Sequence, residues 1–364
     1  MNMEIPRERL LELATTLRME FINSEKRRIQ KFLDENSRIF ELTRTNSLVR
    51  SVVNLSLNVL PTYKDTFNQE KALDVLDYNI YSNVDKRELE GKQKGEENGG
   101  NKLGYTDYLV LELLRWFKEE FFTWINKPPC EICFNNDQNK IQLIRHVLPS
   151  NLNELNGKTS VVEIYKCLKC SSEIRFPRYN NVLTLLDTRK GRCGEWNNCF
   201  LIFLNALNIK SRYLWNQEDH VWCEYYSESM GRWIHIDCCE NSFDNPLLYN
   251  RGWGKKMSYV IAIGDDYIID VSDKYIQIEN NKISRNKISE LDLKKFINCF
   301  NFKKWLNLKD DEKFYKIFCN YNIELRQLQN KDNNSTLTSS LKFLKPRESG
   351  KGLWTKQRGE DGSS

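Results

Sequence analysis

The 364-residue chain is poor in histidine, with three, and in proline, with eight, and it has no charge of one dominant sign: 55 basic residues face 50 acidic ones, for a net +5. So small an imbalance offers neither the basic footprint of a nucleic-acid binder nor a polybasic membrane anchor, and predicts a mixed solvated surface. No apolar run is long enough to span a bilayer. The stretch Tyr259-Val260-Ile261-Ala262-Ile263 stops at Gly264-Asp265-Asp266 and reads as a buried strand. The start, Met1-Asn2-Met3-Glu4-Ile5-Pro6-Arg7, lacks the basic-then-apolar pattern of a signal peptide. The sequons Asn54-Leu55-Ser56 and Asn333-Asn334-Ser335 are therefore expected to be chance matches. No internal repeat is visible.

Cysteine, by contrast, is plentiful. Eleven is an odd count without the rhythm of a small disulfide scaffold, and with no secretory leader it predicts reduced thiols and metal ligands. Cys130-Glu131-Ile132-Cys133 and Cys167-Leu168-Lys169-Cys170 are two C-x-x-C knuckles. Each can present two thiolates to one ion, and together they would complete a closed tetrahedral zinc shell with no open position for catalysis. A redox dithiol is the alternative reading of each pair. His146, between the knuckles, is not needed as a ligand.

The length suits two domains or one large domain with extensions, and 40% hydrophobic and 12% aromatic residues can fill a sizeable core. Pro6 can open a helix, after which Leu10, Leu13, Ala14, Leu17 and Phe21 share one face. The spacing predicts a helix lying on the core, with a partner-binding helix as the alternative. Residues 85–102, rich in Lys, Glu, Gly and Asn, predict a mobile loop. A helix carrying Leu109, Leu113, Phe117, Phe121 and Trp124 on one face should follow and stop at Pro128-Pro129. Another should begin at Cys193, followed by strands over 212–215, 219–226, 232–238 and 259–263. Ser289-Glu290-Leu291-Asp292 resembles a capping box, residues 310–328 predict a further helix, and the polar end predicts a disordered tail. The expected divisions are an N-terminal helical extension over 1–102, a core over 103–270 with a metal-binding insertion at 128–172, a helical region over 271–330, and a tail over 331–364.

The segment that proposes a reaction is Gly191-Arg192-Cys193-Gly194-Glu195-Trp196. Gly191 and Gly194 permit a tight entry to a helix, and a thiol at a helix N-terminus feels the positive end of the macrodipole. Arg189, Lys190 and Arg192 should further favour the thiolate, and Glu195 should oppose it. A buried hydrophobic role is the competing reading for such a cysteine. Downstream, two strands flank Ser227-Glu228-Ser229-Met230. An unbulged ladder pairing Glu224 with Trp233 and Trp222 with His235 would set His220 opposite Asp237 on one face. That places a carboxylate where it can hold an imidazole in one tautomer. His235 is the competing base, without an obvious acid.

These residues resemble the cytoplasmic peptide:N-glycanases, a branch of the transglutaminase-like superfamily. The matching segments begin with Phe176-Pro177-Arg178-Tyr179-Asn180-Asn181, the Cys193 segment and Asp219-His220-Val221-Trp222. They continue through residues 233–241, Pro246-Leu247-Leu248-Tyr249 and residues 252–259, and the knuckles fall in the family's order. Asn197 and Cys238 depart from the family pattern outside the triad. The resemblance implies an α+β, transglutaminase-like (papain-like) core with an antiparallel sheet, a nucleophile helix, a four-cysteine zinc knuckle and flanking N- and C-terminal helices. It implies that Cys193 attacks the side-chain amide of a glycosylated asparagine, with His220 as base and Asp237 orienting it, through a thioester that leaves aspartate. It also implies one structural Zn2+ on Cys130, Cys133, Cys167 and Cys170. Glu240 matches a sugar-binding position, and Trp222 and Trp253 are candidate aromatic faces for sugar rings or, equally, core. Implied partners are misfolded high-mannose N-glycoproteins of endoplasmic-reticulum-associated degradation and a ubiquitin-receptor shuttle protein of the proteasome, met through the helix near residues 10–21. The implied location is the cytoplasm, with the nucleus second. A non-catalytic interaction module on the same fold, and a transglutaminase or cysteine protease, are the other readings.

Overall fold

The computed structural model describes residues 6–98, 103–329, 345–350 and 352–362. Its centre is the helix Cys193–Ala206. Trp196, Cys199, Phe200, Leu201, Ile202, Phe203 and Leu204 are all buried, so this helix is apolar on every side and needs neighbours all round. One neighbour is an aromatic cluster. Phe117 meets Trp196, Phe200 and Phe203 edge-on, with ring centroids 5.5, 5.1 and 6.1 Å away. The other is the main sheet.

The strands fall into three groups. β1 (Thr123–Trp124) follows the helix Tyr105–Trp116. β2 (Ile141–Val147), β3 (Val162–Cys167) and β4 (Glu173–Pro177) form an antiparallel sheet that carries the cysteine knuckles. β5 (Lys190–Gly191) pairs parallel to β1 just before Cys193. The main sheet comprises β6 (Ser211–Asn216), β7 (His220–Ser227), β8 (Arg232–Asp237), β9 (Ser242–Phe243), β10 (Val260–Ile263) and β11 (Ile268–Asp270). Its spatial order is β11-β10-β6-β7-β8-β9, antiparallel throughout. This is the α+β arrangement of helices against an antiparallel sheet that the sequence predicts.

Four local expectations are corrected. The helix expected to run to Pro128 ends in a wide turn over Phe117–Phe121. The Phe122 N–H bonds back to the Phe117 carbonyl at 2.9 Å, and the Thr123 and Ile125 N–H groups bond to the Arg189 and Gly191 carbonyls. Trp124 therefore leaves the helical face and joins the strand beside Cys193.

Residues 85–98, expected as loop, belong to the helix Asn79–Asn98, while 99–102 lie outside the described residues. Glu, Lys, Gln and Arg are good helix formers, and a single apolar edge suffices here. Val84 is buried, Arg87 pairs with Glu112 at 2.8 Å, and a Cβ at Gly91 would lie 1.9 Å from the Tyr108 hydroxyl.

The helix Arg7–Glu35 was expected to lie on the core along Leu10, Leu13, Ala14, Leu17 and Phe21. Its buried residues are Ile22 and Ile29 instead, packed with Trp305, Phe314 and Ile317 of the helices Glu290–Leu306 and Asp311–Gln329. Leu10, Leu11, Leu13 and Leu17 are exposed, with Leu17 64% accessible.

The tail is the fourth. Residues 331–344 lie outside the described residues, but 345–350 and 352–362 are packed, with Arg347, Ser349, Thr355 and Glu360 buried. Ion pairs and ring stacking hold this segment, not apolar area, so hydrophobic content could not announce it.

One buried charge cluster ties the main sheet to the C-terminal helices. Arg212 on β6 pairs with Glu224 on β7 at 2.5 Å and with Glu324 of Asp311–Gln329 at 2.7 Å. Lys274 and the Tyr275 hydroxyl also donate to Glu224. Burial pushes the Glu224 carboxyl up, but Arg212 and Lys274 outweigh it and hold it at about 2. Removing one member strands the others, which costs about 3–5 kcal/mol in comparable buried pairs. Glu224→Ala should lower unfolding stability by that order, read as a reduced urea midpoint at unchanged slope. A loss within about 0.5 kcal/mol, the usual range for surface changes, would contradict it.

Candidate active site

Cys193 heads the central helix and is partly accessible. The turn before it is tight. A Cβ on Gly191 would sit 2.4 Å from the Glu195 Cβ, so glycine is needed there for close approach. Gly194 meets nothing within 4 Å and carries no such demand. Glu195, in the first turn, accepts the Arg192 N–H at 3.0 Å and a two-pronged contact from Arg178 at 2.6 and 2.8 Å.

The charges around the thiol differ from those the neighbouring sequence suggests. The Arg192 side chain is spent on the Glu163 carboxylate, the Tyr165 hydroxyl and the Ile125 and Asn126 carbonyls. Arg189 turns onto the Phe121 ring, 4.5 Å from its centroid. Burial is the largest influence on the Cys193 thiol and pushes it up; the cations that pull it down are Arg347 and Arg178, while Asp219 and Glu195 push it up further. Neither effective cation lies within ten residues of Cys193 in the chain.

His220 and Asp237 stand on adjacent strands, but not directly opposite. The observed ladder pairs Ser227 with Arg232, Tyr226 with Trp233, Glu224 with His235 and Cys223 with Ile236. This is two residues out from the expected register. Side chains alternate with a period of two, so the slip keeps both residues on the expected face and turns a direct pair into a diagonal one. His220 Nε2 lies 3.0 Å from Asp237 Oδ2.

The same oxygen accepts the Tyr249 hydroxyl at 2.9 Å, and Oδ1 accepts the Cys239 and Glu240 N–H groups at 2.8 and 3.3 Å. Burial pushes the Asp237 carboxyl up, yet His220, His235 and Tyr249 together hold it well below the usual carboxylate range. An ionised carboxylate only accepts, so His220 Nε2 carries the proton. His220 Nδ1 is buried and has no hydrogen-bond partner among the described residues. Burial also lowers the His220 pKa against the pull of Asp237, which keeps the ring neutral.

His235, the competing base, is occupied at both nitrogens: Nδ1 accepts the Asn245 N–H at 3.2 Å and Nε2 meets the Tyr249 hydroxyl at 2.8 Å. Burial lowers it to about 4. Tyr249 thus links the second histidine to Asp237, a role that its position in a motif did not disclose.

Trp222 and Trp253 are both buried and pack on His220, with centroids 5.6 and 5.0 Å from the imidazole. Neither offers an open ring face. Glu240 is half-buried, and its carboxylate accepts the Glu348 and Ser349 N–H groups at 2.8 and 2.9 Å. The tail therefore crosses the site at the residue that resembles a sugar contact. A groove of about 480 Å³ opens beside it, lined by Trp124, Trp196, Cys239, Ser349 and Gly350 among others.

In the small sheet, Cys130, Cys133, Cys167 and Cys170 bring their sulfurs within 4.8 Å of one another. Cys130 and Cys170 sulfurs are 3.5 Å apart, and those of Cys133 and Cys167 3.6 Å. Zinc–sulfur bonds of about 2.3 Å in a tetrahedron require sulfur–sulfur edges of about 3.8 Å, so this donor set fits a metal ion. His146 is exposed on β2, opposite Glu163, and is not a member of the cluster.

A helix-borne thiol against an antiparallel sheet that carries an imidazole and a carboxylate is a transglutaminase-like arrangement. A family model described as transglutaminase-like superfamily matches residues 151–238, and one described as Rad4 transglutaminase-like domain matches 214–324. The Saccharomyces cerevisiae protein named peptide-N(4)-(N-acetyl-beta-glucosaminyl)asparagine amidase is 42% identical over 334 residues, covering 90% of each chain. The Kluyveromyces lactis protein of that name is 41% identical over 91% of this chain and 90% of its own. The Rattus norvegicus protein of that name is 39% identical over 74% of this chain and 40% of its own. The chain belongs to the peptide-N(4)-(N-acetyl-beta-glucosaminyl)asparagine amidase family.

Proposed function

We propose that this chain hydrolyses the amide joining an N-linked glycan to asparagine, with Cys193 as nucleophile, His220 as base and then acid, and Asp237 as the carboxylate that orients the imidazole. The observation that carries this reading is the asymmetry of His220: Nε2 is bound to Asp237, while Nδ1 is buried and unpartnered. Only Nδ1 is left to take a proton. In the first step it takes the Cys193 thiol proton as Sγ attacks the side-chain amide carbonyl. The imidazolium then returns a proton to the glycosylamine nitrogen as the carbon–nitrogen bond breaks, leaving a thioester on Cys193. Water, deprotonated by Nδ1, attacks the thioester. The carbon–sulfur bond breaks, Sγ regains its proton, and aspartate remains in the substrate. Burial pushes the Cys193 thiol up, so the attack depends on His220 to take its proton.

The intended substrates are misfolded high-mannose N-glycoproteins of endoplasmic-reticulum-associated degradation, met in the cytoplasm or nucleus. Glu240 is assigned to the inner sugars; the Glu348 and Ser349 N–H groups hold its carboxylate in place. The Cys130, Cys133, Cys167 and Cys170 set is assigned one zinc ion. Four thiolates leave no open position, so the ion supplies folding free energy to the small sheet and takes no part in the reaction. The exposed Leu10, Leu13 and Leu17 face is assigned to a ubiquitin-receptor shuttle protein of the proteasome, because a soluble helix rarely leaves such a row uncovered.

Incubation with a denatured high-mannose glycoprotein should release the glycan and convert the asparagine to aspartate, read by peptide mass. Cys193→Ala should abolish this, and Asp237→Asn should lower kcat by about 10³–10⁴-fold through the wrong imidazole tautomer. Full activity in Cys193→Ala would defeat the nucleophile assignment. Elemental analysis should find about one zinc per chain, lost with unfolding of residues 128–177 in Cys130→Ser; a metal-free protein with native hydrogen exchange there would refute the zinc assignment. Leu13→Asp with Leu17→Asp should abolish calorimetric binding to the shuttle protein while leaving deglycosylation intact. Unchanged binding would move the contact elsewhere.

A further inference from the structure

Arg347 lies near the far end of the chain, in the segment expected as disordered, yet it is 2% exposed. Its guanidinium sits among three indoles, 5.3 Å from the centroid of Trp124, 4.6 Å from Trp253 and 4.5 Å from Trp354. These rings connect it to both halves of the catalytic centre. Trp124 is in β1, paired with the strand before Cys193, and its ring lies 6.3 Å from Trp196 in the first turn of the central helix. Trp253 packs on His220.

Two of the three guanidinium nitrogens are tied. Nη1 donates to Glu360 at 2.5 Å and Nε to the Ser349 hydroxyl at 3.1 Å. Nη2 is buried and has no partner among the described residues. An unpaired donor on a buried cation is costly, and a role in binding or catalysis is one reason such a group persists. The anchor is itself braced: Glu360 also accepts Lys255 at 2.6 Å and Arg358 at 3.1 Å. The backbone before and after Arg347 is pinned too. The Glu348 and Ser349 N–H groups bind Glu240, and the Arg347 N–H bonds the Glu360 carbonyl at 3.2 Å.

We propose that Arg347 is a positioning residue for the amidase reaction: a fixed cation, clamped by Trp124, Trp253, Trp354 and Glu360, that stabilises the thiolate formed on Cys193. The proposal rests on Cys193 being the nucleophile. Other groups also act on this thiol. Asp219 and Glu195 oppose the thiolate, Arg178 supports it, and Tyr213 and Cys239 interact with it from the sheet side. Arg178 is neutralised by its two-pronged contact with Glu195, and it also serves Glu163. Arg347 has Glu360 on Nη1 and keeps Nη2 unpartnered among the described residues, and it stacks on Trp253, the ring that packs on His220. The same charge acts on His220 and disfavours the imidazolium.

The test is the pH dependence of Cys193 alkylation by iodoacetamide in the full-length, zinc-loaded chain, followed at the Cys193 peptide by mass spectrometry. Removing a cation raises a thiol pKa. Arg347→Met, and Arg347→Gln as a second uncharged variant that keeps amide donors, should move the alkylation midpoint up by about one pH unit, or about tenfold less thiolate at pH 7. Arg347→Lys should restore most of the shift. A structural role gives the opposite sign, because loosening the segment lets water reach Cys193 and relieves the burial that raises it. A midpoint that stays or falls in a variant with native zinc content and thermal unfolding would overturn the proposal. Alkylation needs no glycan, so this failure is separate from retained glycan release in Cys193→Ala, which would defeat the nucleophile reading itself.

Discussion

The Asp237 carboxylate is the constraint on which the rest of the site depends. A buried charge is tolerated only when its lone pairs are filled, and Asp237 fills them from four directions: an imidazole, a phenol and two backbone N–H groups. Those partners fix the end of β8, the turn into Glu240, the position of Tyr249 and, through Tyr249, the orientation of His235. The His220 imidazole is thereby left with one bound nitrogen and one without a partner among the described residues. The two tryptophans that were candidates for sugar stacking close the sides of the same imidazole and hold its plane.

Much of this was legible from the sequence, for identifiable reasons. The C-x-x-C spacing is short-range geometry, and the four sulfurs converge as their spacing suggests. The period of a strand makes the shared face of His220 and Asp237 readable even though the ladder lies two residues from the register that an unbulged hairpin predicts. A one-residue error would have put the histidine on the far side of the sheet. The helix start at Cys193 and the Ser289 cap are likewise local signals, and the cap forms with a 3.0 Å bond from the Asp292 N–H.

What was illegible is what depends on distant partners. The basic residues beside Cys193 in sequence looked like its electrostatic support, but Arg192 and Arg189 are engaged elsewhere, and the support comes from Arg178 and Arg347. No periodicity reveals that. The packed end of the chain has a polar, Gly/Lys/Arg-rich composition that predicts disorder, whereas its order comes from Arg347, Lys255 and Arg358 gathered on the Glu360 carboxylate beside indole rings. The N-terminal helix failed in the other direction: its leucines have core spacing but face solvent, and its packing falls on Ile22 and Ile29 in the next turns.

The groups around the site are drawn from widely separated parts of the polypeptide, from Trp124 to Glu360. Chemical competence is consequently a property of the finished molecule. A chain lacking only its last twenty residues would keep the thiol, imidazole and carboxylate but lose the Arg347–Glu360 pair that packs on Trp253 and the two N–H groups that hold Glu240.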